Sequence, residues 1–222
     1  MAKNRIRGPL VTLAAVAALG GGLWLANVSK ETADAPSAKP AAQTTATAAP
    51  APPPPPPSTP APVQFPAKAN YVGKIPTATG HITLEVSVRG AKAIAYACDG
   101  NHVEAWLRGS AADGAVSLVN KDGNSRLTGQ LKGSSIVGTL WIGATKWEFT
   151  TPEVAPPAGL YVYEANGARN SWIVDPNGGV TGVQRRADGA TAPAAELSPD
   201  GTSVLDGQTV TATKVQGGDD VI

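Results

Sequence analysis

Residues 81–109 read HITLEVSVRGAKAIAYACDGNHVEAWLRG, and their alternation decides the fold. Leu84, Val86 and Val88 alternate with Thr83, Glu85 and Ser87, the period of a strand with one face in a core. Gly90-Ala91 reads as a two-residue hairpin turn, which pairs Val88 with Ala93, Val86 with Ala95 and Leu84 with Ala97. The next link is Asp99-Gly100-Asn101. With a two-residue loop, Glu104, Trp106 and Arg108 would join the inner face; with three residues, Val103, Ala105 and Leu107 take it. Burying Glu104 and Arg108 without partners costs several kcal/mol, so the three-residue loop is the expectation. Branched side chains then face alanines, and so narrow an interior suits a barrel filled by its own residues.

The same register builds an outer patch. Cys98 is expected opposite His102, Tyr96 opposite Glu104 and Ile94 opposite Trp106, with Thr83 and Glu85 on the preceding strand. Glu85, Ile94, Tyr96, Cys98, His102, Glu104 and Trp106 are therefore the candidate partner or ligand patch. A thiolate beside a histidine is a nucleophile, but no orienting residue or oxyanion hole is evident around Cys98, and no catalytic residue is assigned. Cys98 and His102 alone are too few ligands for a metal; Glu104 or Asp99 could add a third, but no metal site and no cofactor are expected. Glu85 and Glu104 share a face but flank the Tyr96 strand, which does not make a glycosidase pair.

Outward from this stretch the pattern repeats. Strands are expected at 71–74, 81–89, 92–98, 102–108, 115–119, 125–131, 135–141 and 146–150, separated by Asp-Gly, Gly-Ser and Gly-Ala turns. Eight strands joined by hairpins form an antiparallel meander, and closure into a barrel removes its edges. The fold class is all-β, with one transmembrane helix before the barrel. After Pro156-Pro157, weaker strands follow at 159–164, 171–175, 179–184, 203–205 and 208–214, with Pro176-Asn177-Gly178-Gly179 as a hairpin turn. They extend the barrel or form a second sheet. Gly217 to Asp220 reads as a frayed tail.

The N-terminal side sets the expected location. Lys3, Arg5 and Arg7 precede Gly8–Val28, which carries no charge and is about 31 Å long as a helix. Basic residues before the segment put the N-terminus in the cytoplasm and the rest outside, with Trp24 at the far interface. A cleaved signal peptide is the alternative, although the A-x-A site that follows, Ala33-Asp34-Ala35 with Pro36 just beyond, is a poor one. Residues 35–67 hold 12 prolines, including Pro52 to Pro57, and read as an extended spacer of up to ~100 Å. The divisions are 1–30 for the cytoplasmic tip and anchor, 31–67 for the linker, 68–151 for the barrel and 152–222 for the C-terminal strands. The whole chain has net charge +1, which recruits no nucleic acid, and from Lys68 onward 13 basic residues face 15 acidic ones. One Cys and two His exclude a Cys-rich zinc site and an intrachain disulfide.

The stretch Ala91–Gly109 resembles a family of uncharacterised actinobacterial, largely mycobacterial, envelope proteins with a CDGxxVEAWLxG-like motif. Val137-Gly138-Thr139-Leu140, Ala158-Gly159-Leu160-Tyr161 and Trp172–Gly178 resemble it as well. The resemblance implies a membrane-anchored or secreted envelope protein and brings no activity. A protein-kinase label used in that family has no support here, since H-R-D and D-F-G are missing. The expected function is a non-enzymatic interaction module that meets an envelope protein or a cell-wall polymer. A lipocalin-like carrier of a lipophilic ligand is one alternative, and an enzyme or redox sensor using Cys98 is the other.

Overall fold

A computed structural model describes residues 63–220. The expected membrane segment at 8–28 and most of the spacer lie outside the described residues, and no helix among the described residues is long and apolar enough to cross a membrane. The described chain is all-β. Eight antiparallel strands form a closed barrel in sequence order. They are β1 (Lys68–Thr77), β2 (Gly80–Arg89), β3 (Lys92–Cys98), β4 (Glu104–Ala112), β5 (Ala115–Val119), β6 (Ser125–Lys132), β7 (Ser135–Ile142) and β8 (Thr145–Val154). The ring closes where Asn70 and Tyr71 of β1 pair with Val154 and Glu153 of β8.

The inner faces are those the alternation selects. Leu84, Val86 and Val88 stand opposite Ala97, Ala95 and Ala93, and all are buried. Leu107, Leu118, Leu127, Ile136 and Leu140 complete a packed interior. Phe65 packs edge-on against Tyr71, and Trp147 and Ile142 pack against the same core. Gly138 lies mid-strand because a Cβ there would strike the Thr128 carbonyl oxygen and meet the Phe149 ring at 3.0 Å.

The β3–β4 link departs from the expected register. The loop spans five residues, 99–103, so Cys98 pairs with Glu104, Tyr96 with Trp106 and Ile94 with Arg108. Asp99 is the cause: its Oδ1 accepts from the backbone N–H of Asn101, His102 and Val103 at 2.8, 2.8 and 2.9 Å. A side chain that satisfies three amides holds a longer loop than Asp-Gly-Asn alone specifies. A shift of two residues preserves which face each strand residue takes, so Ala105 and Leu107 stay inside, while Val103, expected beside them, falls in the loop and outside the barrel core.

The C-terminal strands form a second sheet rather than extending the barrel. Its order is β12–β11–β10–β9–β15, from β9 (Gly159–Ala165), β10 (Ala168–Val174), β11 (Val180–Arg185), β12 (Thr191–Pro193) and β15 (Thr213–Lys214). A two-stranded hairpin of β13 (Thr202–Leu205) and β14 (Gln208–Thr211) accompanies it. Leu160, Val162, Ile173 and Val183 form one core with Val72, Ile94, Tyr96, Cys98 and Trp106, so the sheet covers the outer faces of β1, β3 and the start of β4. The expected frayed tail is instead docked. Gly217 is buried where a Cβ would lie 2.6 Å from Arg89 N and 2.7 Å from the Lys92 carbonyl oxygen. Val63 to Ala67, read as spacer, also touch the barrel: Gly90 N–H donates to the Ala67 carbonyl at 2.9 Å.

Candidate functional site

Of the seven patch residues, six come together and one does not. Glu85, Ile94, Tyr96, Cys98, Glu104 and Trp106 all point out from the barrel, but the second sheet covers them. The expected open patch is an internal joint. The cover is legible in hindsight from β3 itself, where Ala93 to Cys98 is apolar on both faces, as in a strand buried on two sides. His102 stands apart, exposed in the 99–103 loop, where its carbonyl oxygen accepts from the Thr191 hydroxyl at 3.1 Å.

The joint is centred on the Glu104 carboxylate, whose side chain is 1% exposed. Arg185 Nε donates to Oε2 at 2.6 Å. Oε1 accepts from Trp106 Nε1 at 3.0 Å and Arg169 Nη2 at 3.3 Å, with the Tyr96 and Ser171 hydroxyls at 3.4 Å. The Arg169 guanidinium also lies over the Trp106 ring, 4.8 Å from its centroid. A buried carboxylate tolerates desolvation when its lone pairs are filled in this way. Arg169 and Arg185 were absent from the sequence-derived patch, because nothing in their neighbourhoods marks them as partners of a strand some 65 to 81 residues earlier. An open cleft of about 560 Å³ lies over the joint, lined by Arg169, Arg185, Lys121, Asn124 and Gly143.

Cys98 is fully buried, its Sγ 4.0 Å from the Thr181 carbonyl, and burial pushes its thiol up to about 12. A thiol held protonated is a poor nucleophile. His102 is in the loop and does not pair with it across the hairpin. Glu85 is also fully buried. Its Oε1 lies 3.0 Å from the Ser87 hydroxyl, which lies 2.7 Å from Asn70 Oδ1, and Oε2 has no hydrogen-bond partner. Desolvation raises its carboxyl to about 8, opposed by the Ser87 hydrogen bond and the Lys214 charge. Glu85 and Glu104 thus have different environments, one short of partners and the other saturated with them. Among the described residues no cluster of His, Cys, Asp and Glu could hold a metal ion.

The four body tryptophans separate by environment. Trp106 and Trp172 are buried, and Trp147 packs on the barrel core. Trp141 is on the outer face of β7, half-exposed, with the Arg126 guanidinium 4.1 Å above its ring centroid. Among the described residues no sheet lies over the outer face of β5 to β8: Val119 is 51% exposed, and Arg126, Thr128, Lys146 and Glu148 are exposed. The class the geometry defines is a filled, closed eight-stranded antiparallel barrel buttressed on one side by its own C-terminal sheet. Comparisons with family models, with curated proteins and with solved structures each give no match.

Proposed function

We propose that the chain is a single-pass, extracytoplasmic interaction module without catalytic activity, which presents its barrel on a proline-rich stalk to a component of the cell envelope. The observation that carries this reading is the division of the barrel's outer surface. One side is sealed by the chain's own sheet; the other, β5 to β8, is open and turns Trp141 outward. Three features support it. The uncharged Gly8–Val28 stretch after Lys3, Arg5 and Arg7 has the length and flanks of an anchor. The barrel interior is occupied by side chains, which weighs against a carrier. The buried, protonated Cys98 weighs against thiol chemistry.

In-cell crosslinking of the full-length chain, with mass spectrometry of what it retains, tests the proposal. One dominant envelope component is expected, retained by the wild type and lost in Trp141→Ala. Trp106→Ala should instead lower the yield of folded chain, because it opens the joint. Stoichiometric lipid with no envelope partner would replace this reading with the carrier. A turnover abolished by Cys98→Ser would replace it with an enzyme.

A further inference from the structure

The open face carries an ordered pattern. The barrel register aligns Arg108, Val119, Arg126, Trp141 and Lys146 in one row across β4 to β8, each directly opposite the next. No acid interrupts the row. The adjacent row, two residues along each strand, is Ser110, Ser117, Thr128, Thr139 and Glu148. Four hydroxyls therefore flank the cationic row, about 7 Å away. The next row, Ala112, Ala115, Gln130, Val137 and Thr150, is neutral. The body from Lys68 onward carries more acids than bases, 15 to 13, so this clustering of bases runs against the average charge of the body.

We propose that this row binds an acidic polysaccharide lying across the strands. The inference rests on the interaction-module reading and names its partner. Arg126 and Lys146 are separated by two strand spacings, about 10 Å, and Trp141 lies between them. An extended chain with recurring carboxylates meets both cations at once, while a sugar ring covers the indole–guanidinium stack. The exposed hydroxyls of Ser110, Ser117 and Thr128 match a polymer of hydroxyls, while that of Thr139 is engaged by Glu148 at 2.9 Å. Arg108, at the row's end, is paired with Asp220 of the docked tail at 3.1 Å, which leaves Arg126 and Lys146 as the main anchors. An anionic membrane surface would meet the same charges. Insertion, however, calls for several bulky apolar side chains, and this row offers only Val119 and a half-exposed Trp141.

The test uses the full chain in a mild non-ionic detergent. It is titrated with polygalacturonate, with dextran of similar length, and with phosphatidylglycerol nanodiscs. Polygalacturonate should bind, dextran should not, and rising salt should weaken the complex. The double variant Arg126→Gln, Lys146→Gln and the single variant Trp141→Ala should each lose at least about tenfold in affinity. Arg186→Gln, off this face, should bind as the wild type does. The double variant removes no buried group, so it keeps the test readable if Trp141→Ala folds poorly. Undiminished binding by the double variant, equal binding of dextran, or binding to the nanodiscs alone overturns the proposal. A protein partner found by crosslinking together with no polygalacturonate binding would overturn this inference alone and leave the interaction module standing.

Discussion

Glu85 has no solvent contact, and its carboxyl titrates near 8 rather than the ordinary 4.5. Lys214, the charged group facing it from β15, attracts the ionised form too weakly to offset burial. The folded chain therefore binds a proton that the unfolded chain has released over this whole interval. Stability should fall as pH rises from about 4.5 to about 8 and level off above that. Glu85→Gln should flatten the slope and be the more stable chain above pH 8, read from urea midpoints across the range. Cys98 gives the second expectation at this scale. Its thiol, raised to about 12, should resist alkylation in the native chain near neutral pH and react fully in denaturant. Rapid native labelling would contradict the burial that holds it.

At the scale of the element, the strands were the most legible part of the sequence. Turns such as Gly90-Ala91 and Asp113-Gly114 meet a physical requirement: Gly90, Asp113 and Gly114 all have positive φ, at 59°, 51° and 72°. Gly138 shows a stricter need. A Cβ there has no room between Thr128 and Phe149, so Gly138→Ala should destabilise the chain by about 1–3 kcal/mol in chemical denaturation. What alternation could not supply is the number of residues in a loop. The Asp99 carboxylate sets that through three amides, and a shift by two leaves the strand faces unchanged, so Ala105 and Leu107 read correctly as inner residues while Val103 is taken up by the loop and Cys98 pairs with Glu104 instead of His102. The candidate patch was half legible for the same reason. All of its residues but His102 share a face, but what covers that face comes from β9 to β11, and single-strand periodicity has no term for a distant layer. The acidic partner of Arg169 and Arg185 was visible as Glu104; the pairing was not.

At the scale of the whole molecule, the barrel and the second sheet share one buried cluster and the Glu104 joint, so they should unfold together. Glu104→Gln removes the charge that two guanidiniums face. The expected loss is about 2–3 kcal/mol, below that of a fully buried pair because Arg185 keeps 41% exposure. A single transition should persist, with barrel and sheet probes coincident; two separated transitions would show that the sheet is a loosely held appendage. The described chain also enters and leaves at one end. Val63 meets the β4–β5 turn at Gly114, and Gly217 docks beside the β2–β3 turn between Arg89 and Lys92. The loops 99–103 and 120–124 are at the other end, the end nearer Arg126, Trp141 and Lys146. This layout has a mechanical consequence. A pull on the chain before Val63, against a load on that face, runs along β1 itself. Ten register positions to β2, joined by the seam to β8, then bear the force in shear together rather than opening one bond at a time.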